Sequence, residues 1–279
     1  MKHVWKIAGK TIEINGFLIM GILNISPDSF YSGSSYPDMK EAIKRALEMV
    51  NEGADIIDIG GQSTRPASKS ISEEEEIRRV IPIIKELLKN TKIPISCDTC
   101  KAIVAEKALE AGASIINDIS AFSMDTKLLE VVKNADCGYI LMHMKGIPEN
   151  MQINPFYEDV VSEVYQFLKE KLNWIKKEGI NTERVIVDPG LGFGKRFEDN
   201  LALLKNMEKF TELARPVLLG TSRKSFIGKM LNNISPEYRL EGSITSAVIG
   251  YIKGIKVFRV HDVKETKRAL EVANSILFS

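Results

Sequence analysis

Eight short apolar runs recur along this chain, and each is followed by a segment with helical periodicity. The runs cover residues 17–25, 55–60, 93–98, 114–119, 138–143, 184–188, 216–220 and 255–261. The helical segments lie near 38–52, 73–89, 101–111, 125–134, 156–178, 198–213, 237–253 and 262–277. Continuous apolar runs of this length suit strands covered on both faces, as in a parallel sheet flanked by helices. Eight strand–helix units in 279 residues predict an α/β fold, a single (β/α)8 TIM barrel. A doubly wound open sheet is the alternative, but it would rarely need eight regular units. Ahead of the barrel, residues 3–16 read as a short β-hairpin, Val4 to Ile7 and Thr11 to Ile14 about a Gly9-Lys10 turn. No linker rich in Pro, Gly or Ser divides the chain. One domain is therefore expected over 1–279, with a hairpin at 1–16 and the barrel at 17–279.

Local signals agree with these boundaries. Asp38 with Glu41, Ser72 with Glu75 and Asp262 with Glu265 have capping-box spacing. Gly53, Gly112, Gly179 and Gly254 stand where helices end before the next strand. Gly53-Ala-Asp-Ile-Ile-Asp and Gly112-Ala-Ser-Ile-Ile-Asn look like one unit used twice. The run Glu73 to Glu76, four residues ahead of Arg78 and Arg79, reads as a solvated helix face. A formal net charge of +1 gives no reason to expect nucleic acid or a membrane surface as partner. No apolar run approaches the roughly 18 residues of a spanning helix, and the N-terminus lacks a signal-peptide core. Three cysteines make no disulfide framework, so a cytoplasmic setting is expected, with Cys97 and Cys100 as structural thiols.

Barrel strands alternate between the interior and the helix layer, so the inward set can be read by parity. It comprises Met20, Ile22 and Asn24; Ile56 and Asp58; Ser96 and Asp98; Ile115 and Asn117. It continues with Ile140 and Met142; Ile186 and Asp188; Leu218 and Gly220; Val257, Arg259 and His261. Most of these sets start apolar and end polar. Asn24, Asp58, Asp98, Asn117, Asp188, Arg259 and His261 thus converge on one mouth, at the carboxyl ends where such barrels keep their sites. Any one of them could be a satisfied core group or a helix cap. Together they would be costly unless a ligand shared their hydrogen bonds.

The stretch Pro216-Val-Leu-Leu-Gly-Thr-Ser-Arg-Lys-Ser-Phe-Ile-Gly228 adds hydroxyls and cations at one strand end. Alone it could be a polar turn with solvated Arg223 and Lys224. Beside the rest of the mouth it joins a readable chemistry. Asp98, Asn117 and Asp188 suit a heteroaromatic edge with amino and ring N–H groups. Lys224 suits a ring carbonyl or nitrogen, and Met142 and Phe193 the faces of a flat ring. Arg259, His261, Asn24 and the Ser63-Thr64-Arg65 loop suit an anion or an anion–metal pair.

At this point the chain resembles dihydropteroate synthase along essentially its whole length. The match is carried by Met20-Gly-Ile-Leu-Asn-Ile-Ser-Pro-Asp-Ser-Phe30, Asp58-Ile-Gly-Gly-Gln-Ser-Thr-Arg-Pro66, Ser96-Cys-Asp-Thr99 and Ile115-Ile-Asn-Asp118. Leu141-Met-His143 with Gly146 and Pro148, Asp188-Pro-Gly-Leu-Gly-Phe-Gly-Lys195, Gly220-Thr-Ser-Arg-Lys-Ser225 and Arg259-Val-His-Asp262 complete it. The resemblance implies condensation of a hydroxymethyl-dihydropterin diphosphate with 4-aminobenzoate, giving dihydropteroate and diphosphate on the route to folate. By position it implies that Asp98, Asn117, Asp188 and Lys224 hold the pterin, with Met142, Phe193, Gly220 and Arg259 around it. Asn24 would ligate Mg²⁺ on the diphosphate, and Thr64, Arg65, Arg259 and His261 would bind its oxygens. Phe30, Pro66, Phe193, Lys224 and Ser225 would border the aminobenzoate. Asp98, Lys224, Arg259 and His261 would carry the chemistry. The loops 26–37 and 62–71 would act as lids, and a homodimer through barrel helices is expected.

The chain departs from the family pattern in places. Gln62 stands where Glu is common, and Tyr31-Ser32-Gly33-Ser34 replaces a common Ser-Asp-Gly-Gly. Cys100 stands where Tyr is usual, and Met144-Lys145-Gly146-Ile147 replaces a common Asn-Arg-Gly-Thr. The nearest rival is a methyltetrahydrofolate–corrinoid methyltransferase, which has no need of a diphosphate pocket. A non-catalytic pterin-binding paralogue and a phosphate-binding barrel isomerase are the remaining alternatives.

Overall fold

The computed structural model describes residues 3–25, 36–63 and 70–278. Eight parallel strands alternate with helices: β3 (Leu18–Asn24), β4 (Ile56–Gly60), β5 (Ile95–Asp98), β6 (Ile115–Asp118), β7 (Gly138–Met142), β8 (Val185–Asp188), β9 (Leu218–Leu219) and β10 (Val257–Val260). Their order around the sheet is β8-β7-β6-β5-β4-β3-β10-β9. A single bridge, Val187 to Val217, brings the two ends together. The strand expected at 216–220 is thus only two residues long. Pro216 has no N–H to give a neighbour, and its carbonyl alone joins β8, accepting from Val187 N at 3.1 Å.

The helices form the outer layer: α1 (Tyr36–Asn51), α2 (Glu73–Asn90), α3 (Ala102–Glu110), α4 (Leu128–Asn134), α5 (Val160–Lys177), α6 (Phe197–Lys205), α7 (Glu208–Thr211), α8 (Ser225–Met230), α9 (Leu240–Ile252) and α10 (Val263–Phe278). The segment expected as one helix over 198–213 is two, α6 and α7. The Asn206 side chain turns back onto Ala202 O at 2.8 Å, satisfying a carbonyl at the helix end, and the chain bends there. Ser72 caps α2 as its spacing suggests, accepting from Glu75 N at 3.2 Å. Residue 38 lies inside α1, which begins at residue 36, so the spacing of Asp38 and Glu41 does not mark the helix start. Asp262 precedes α10, but both its carboxylate oxygens are on Arg223. The repeated Gly-Ala unit has one geometry at both places. Gly53 and Gly112 take left-handed φ of 98° and 106°. Ala54 N then reaches Met49 O, and Ala113 N reaches Ala108 O, each at 2.9 Å.

Two apolar cores result. One lies between sheet and helices. The other fills the barrel, with Met20, Ile56, Ile115, Ile140, Ile186, Leu218 and Val257 in it, which is the inward set read from parity. Its amino end is closed by the hairpin of β1 (His3–Ile7) and β2 (Lys10–Ile14), whose Trp5, Ile7 and Ile14 join the interior cluster. The hairpin turn is Ala8-Gly9, not Gly9-Lys10: Ile7 pairs with Lys10, and both turn residues have positive φ. Trp5 is fully buried and donates from Nε1 to Arg184 O at 2.8 Å. Gly138 makes room for this plug, since a Cβ there would lie 2.4 Å from Ile7 Cγ2.

Candidate active site

At the carboxyl end the interior positions become polar. Asp58 on β4 is fully buried, and Arg259 on β10 donates to it from Nε at 2.6 Å. The same guanidinium donates from Nη2 to Asp98 Oδ2 on β5 at 2.7 Å. Asn117 on β6 donates one amide hydrogen to Asp58 Oδ2 at 3.1 Å. Arg259 thus bridges two carboxylates across the mouth. Burial pushes the Asp98 carboxyl up to about 7; Arg259 pulls against that shift, and Asp58 adds to it. Burial also disfavours the Arg259 charge, but Asp58 and Asp98 more than offset it and keep the group protonated. Asp58 Oδ1 and Ser96 Oγ, on paired residues of β4 and β5, are buried without a partner among the described residues. Orphaned polar atoms at the floor of a mouth mark a place for a further polar group.

The loop after β8 is built on glycines. Gly190 takes a φ of 67°, and a Cβ there would lie 1.9 Å from His143 O; at Gly194 it would lie 2.1 Å from Lys145 O. Only glycine lets this backbone press against the loop after β7. Gly190 N then donates to Asp188 Oδ1 at 2.7 Å. Lys224 donates to Leu191 O in the same loop and lies 4.6 Å from the centre of the Phe193 ring. Burial pushes the Lys224 ammonium down to about 8, with Asp188 working the other way. Burial raises the Asp188 carboxyl, against the pull of Lys224. Met142 on β7 is buried, its Cγ 3.2 Å from where a Cβ on Gly190 would lie. Lys224 is therefore no solvated turn residue.

On the opposite side, His261 Nδ1 lies 3.0 Å from Ser222 Oγ, which also accepts from His261 N at 3.1 Å. Asn24 ends β3 opposite Gly60, and Gly60 opposite Asp98. A Cβ on Gly60 would lie 3.6 Å from Asn24 Oδ1 and from Asp98 Oδ2, so its absence leaves a gap between those oxygens. Gly220 leaves a similar gap, its nearest neighbours being Arg259, Leu218 and Lys224. Ser225 is exposed as the first residue of α8. Phe30, Thr64, Arg65 and Pro66 lie outside the described residues, as do most of the loops 26–37 and 62–71.

Several residues here were given no role in the site from the sequence. Lys195 is buried, with Nζ 3.0 Å from both His143 Nδ1 and Phe193 O. Burial pushes it down to about 7, and burial with Lys195 beside it pushes His143 down to about 2. A lysine closing a glycine-rich loop ordinarily reads as exposed, so nothing local announced this pair. Glu76 also departs from expectation. It is not on a solvated face but buried, 2.8 Å from Lys101 Nζ, which also meets Gln62 Oε1 at 3.0 Å. Arg79, likewise, donates to Gly61 O at 2.9 Å.

Comparison with known proteins now bears on this geometry. A family model described as "Pterin binding enzyme" matches residues 20–261. A dihydropteroate synthase of Clostridium beijerinckii is 46% identical over 274 residues, covering 98% of this chain and 99% of that protein. The corresponding protein of Bacillus subtilis is 43% identical over 260 residues, covering 93% of this chain and 88% of its own. Among solved structures, Xanthomonas albilineans dihydropteroate synthase with 4-aminobenzoic acid superposes with a TM-score of 0.93 at 38% identity, covering 100% of both chains.

Proposed function

The chain belongs to the family of pterin-binding enzymes and works as a dihydropteroate synthase, and from that premise we propose how its residues divide the reaction. The C–O bond between the pterin methylene and the diphosphate breaks, a C–N bond to the arylamine forms, and the amine loses a proton. The observation that carries the division is the Arg259 bridge between Asp58 and Asp98, beside Asn117 and Asp188.

The ring half of the mouth is the pterin site. Asp98 and Asp188 accept from ring N–H and amino groups, Asn117 adds its amide, and Lys224 donates to the ring. Met142, Phe193, Gly220 and Arg259 bound the slot. The other half takes the diphosphate, on His261, Asn24 and Arg259, with Thr64 and Arg65 completing it. Phe193, Lys224 and Ser225, together with Phe30 and Pro66, border the aminobenzoate. Positive groups fixed around the departing diphosphate stabilise the charge that builds there. The electron-rich pterin delocalises the positive charge left on its methylene, so bond breaking runs ahead of attack. Asp98, Lys224, Arg259 and His261 are the groups that touch the reacting part of the substrates.

Mg²⁺ belongs to the proposal. Among the described residues no group of three or more His, Cys, Asp or Glu is placed to hold a metal. The gap at Gly60 beside Asn24 Oδ1 fits an ion bound mainly by substrate phosphate and water, which is how Mg²⁺ is commonly held. When bound, it would neutralise diphosphate charge. A cytoplasmic homodimer is proposed too. Three free cysteines support the compartment, and an exposed apolar strip on α9 and α10 (Ile252, Val272, Ile276, Phe278) supports the dimer. Among the described residues no helix is long and apolar enough to cross a membrane.

The test is formation of dihydropteroate and diphosphate from the pterin diphosphate, with and without 4-aminobenzoate. Product is expected only with both substrates and Mg²⁺. Diphosphate release with no pterin–aminobenzoate product would overturn the assignment, and full turnover in chelator would remove Asn24 from its role.

A further inference from the structure

Arg223 sits between two residues on different halves of the mouth, Ser222 on the His261 side and Lys224 on the ring side. Its backbone is left-handed, with a φ of 57°, although it is not glycine. A side chain in that conformation disfavours the state about tenfold or more, so its surroundings must hold it there. The guanidinium forks onto Asp262, Nε to Oδ2 at 2.9 Å and Nη2 to Oδ1 at 2.6 Å. Its backbone N donates to Ser243 Oγ on α9 at 2.9 Å, and its carbonyl accepts from Arg239 Nη1 at 2.9 Å. Arg239 is itself anchored on Ile234 O at 3.0 and 2.8 Å.

Planar bidentate pairs of this kind add orientation as well as energy. Here the pair joins the loop after β9 to the residue following His261, so the two loops cannot shift independently. A left-handed residue also reverses the local chain direction. Ser222 is thereby turned onto His261, while Lys224 is turned onto Leu191 O and the Phe193 ring.

We propose that Arg223, held left-handed by Asp262, is the positioning residue that fixes the anion half of the mouth relative to the ring half. It touches neither substrate. The inference rests on the dihydropteroate synthase reading, and parent turnover separates the two: a parent without product formation overturns that reading and the positioning claim with it, whereas an active parent with unmoved KM values in the variants overturns the positioning claim alone.

Arg223→Ala removes the fork yet keeps the penalty on positive φ, so the backbone relaxes. Arg223→Gly removes the same fork but occupies the left-handed region freely. With active parent enzyme, Arg223→Ala is expected to lose at least about tenfold in kcat/KM and to raise KM for both substrates together. Arg223→Gly is expected to retain several times the activity of Arg223→Ala, at equal or lower thermal stability. Asp262→Asn, which keeps the shape and weakens the fork, is expected to fall between Arg223→Ala and the parent. Circular dichroism checks folding; if Arg223→Ala does not fold, Arg223→Gly and Asp262→Asn carry the test, and unchanged KM values in both overturn the proposal. Equal kinetic constants for Arg223→Ala and Arg223→Gly, or loss of stability with no change in either KM, also overturn it.

Discussion

The two ends of the barrel are built from the same strands and could hardly differ more. At the amino end the inward residues are Met20, Ile56, Ile115, Ile186, Leu218 and Val257, sealed by Trp5, Ile7 and Ile14 of the hairpin. Two residues further along the same strands stand Asp58, Asn117, Asp188 and Arg259. One end is close-packed and dry, the other holds charge in a space where burial disfavours charge. The period of two that places both sets is common to them. What separates them is that the apolar end satisfies itself, whereas the polar end meets its hydrogen-bonding capacity only in part: Asp58 Oδ1 and Ser96 Oγ have no hydrogen-bond partner among the described residues. Stability should therefore follow the first end and ligand affinity the second.

The largest effect is expected at the closed end. Trp5→Ala removes the bulkiest part of the plug and leaves Arg184 O without its donor. A loss of roughly 3–5 kcal/mol follows from the buried volume. For a chain of this size that is on the order of 10 °C in Tm by calorimetry. Activity per folded molecule should be unchanged at a temperature well below the transition. A fall in kcat matching the fall in stability would break the separation of the two ends.

The open end should behave in the opposite sense. Asp188 has its folded-state pKa raised by burial, so the native state resists its ionised form. Near pH 7 a neutral Asn escapes that penalty, and Asp188→Asn should melt no lower than the parent. The advantage should shrink as pH falls towards the ordinary carboxylate range, where the parent's aspartate takes up its proton. If the pterin sits as proposed, the same substitution puts a donor where the ring offers one and should weaken ligand binding at least about tenfold. Thermal melting alongside titration would sharpen the comparison; a destabilised variant with normal affinity would reverse it.

A smaller effect concerns pH. On the proposed reading Asp98, pushed up to about 7 by burial, works ionised as an acceptor for the pterin, and Lys224, pushed down to about 8 by burial, works charged as a donor. The profile of kcat/KM should then be bell-shaped with its maximum between those values, each limb changing a few-fold over the first unit. Asp98→Asn should lower the plateau and erase the acid limb. An acid limb that survives in that variant belongs to another group.

Much of this is legible in the amino-acid sequence. Alternation by two identified Asp58, Asp98, Asn117, Asp188 and Arg259 because a barrel strand leaves no other way to share the interior. Glycines after helices were legible because a left-handed residue there has few substitutes. What stayed hidden depends on partners far along the chain. Lys195 and His143 are 52 residues apart, and Lys101 and Glu76 are 25 apart. Neither charge announces its burial in its own neighbourhood, and a run such as Glu73 to Glu76 looks uniformly solvated although its last member turns inward. The hairpin showed a similar limit. Five-residue strands reveal an apolar face but not what it covers, and the barrel floor became its partner only once eight strands had closed.

The division of the mouth into a ring half and an anion half is tested most directly by calorimetric titration of two ligands into two variants. The ligands are the hydroxymethylpterin and its diphosphate; the variants are Asp188→Asn and His261→Ala, with folding confirmed by circular dichroism. Asp188→Asn should weaken both ligands alike, by at least about tenfold. His261→Ala should weaken the diphosphate and leave the bare pterin nearly as tight as in the parent. A His261→Ala variant that weakens both ligands equally, or an Asp188→Asn variant that binds the bare pterin normally, would contradict the assignment of the two halves.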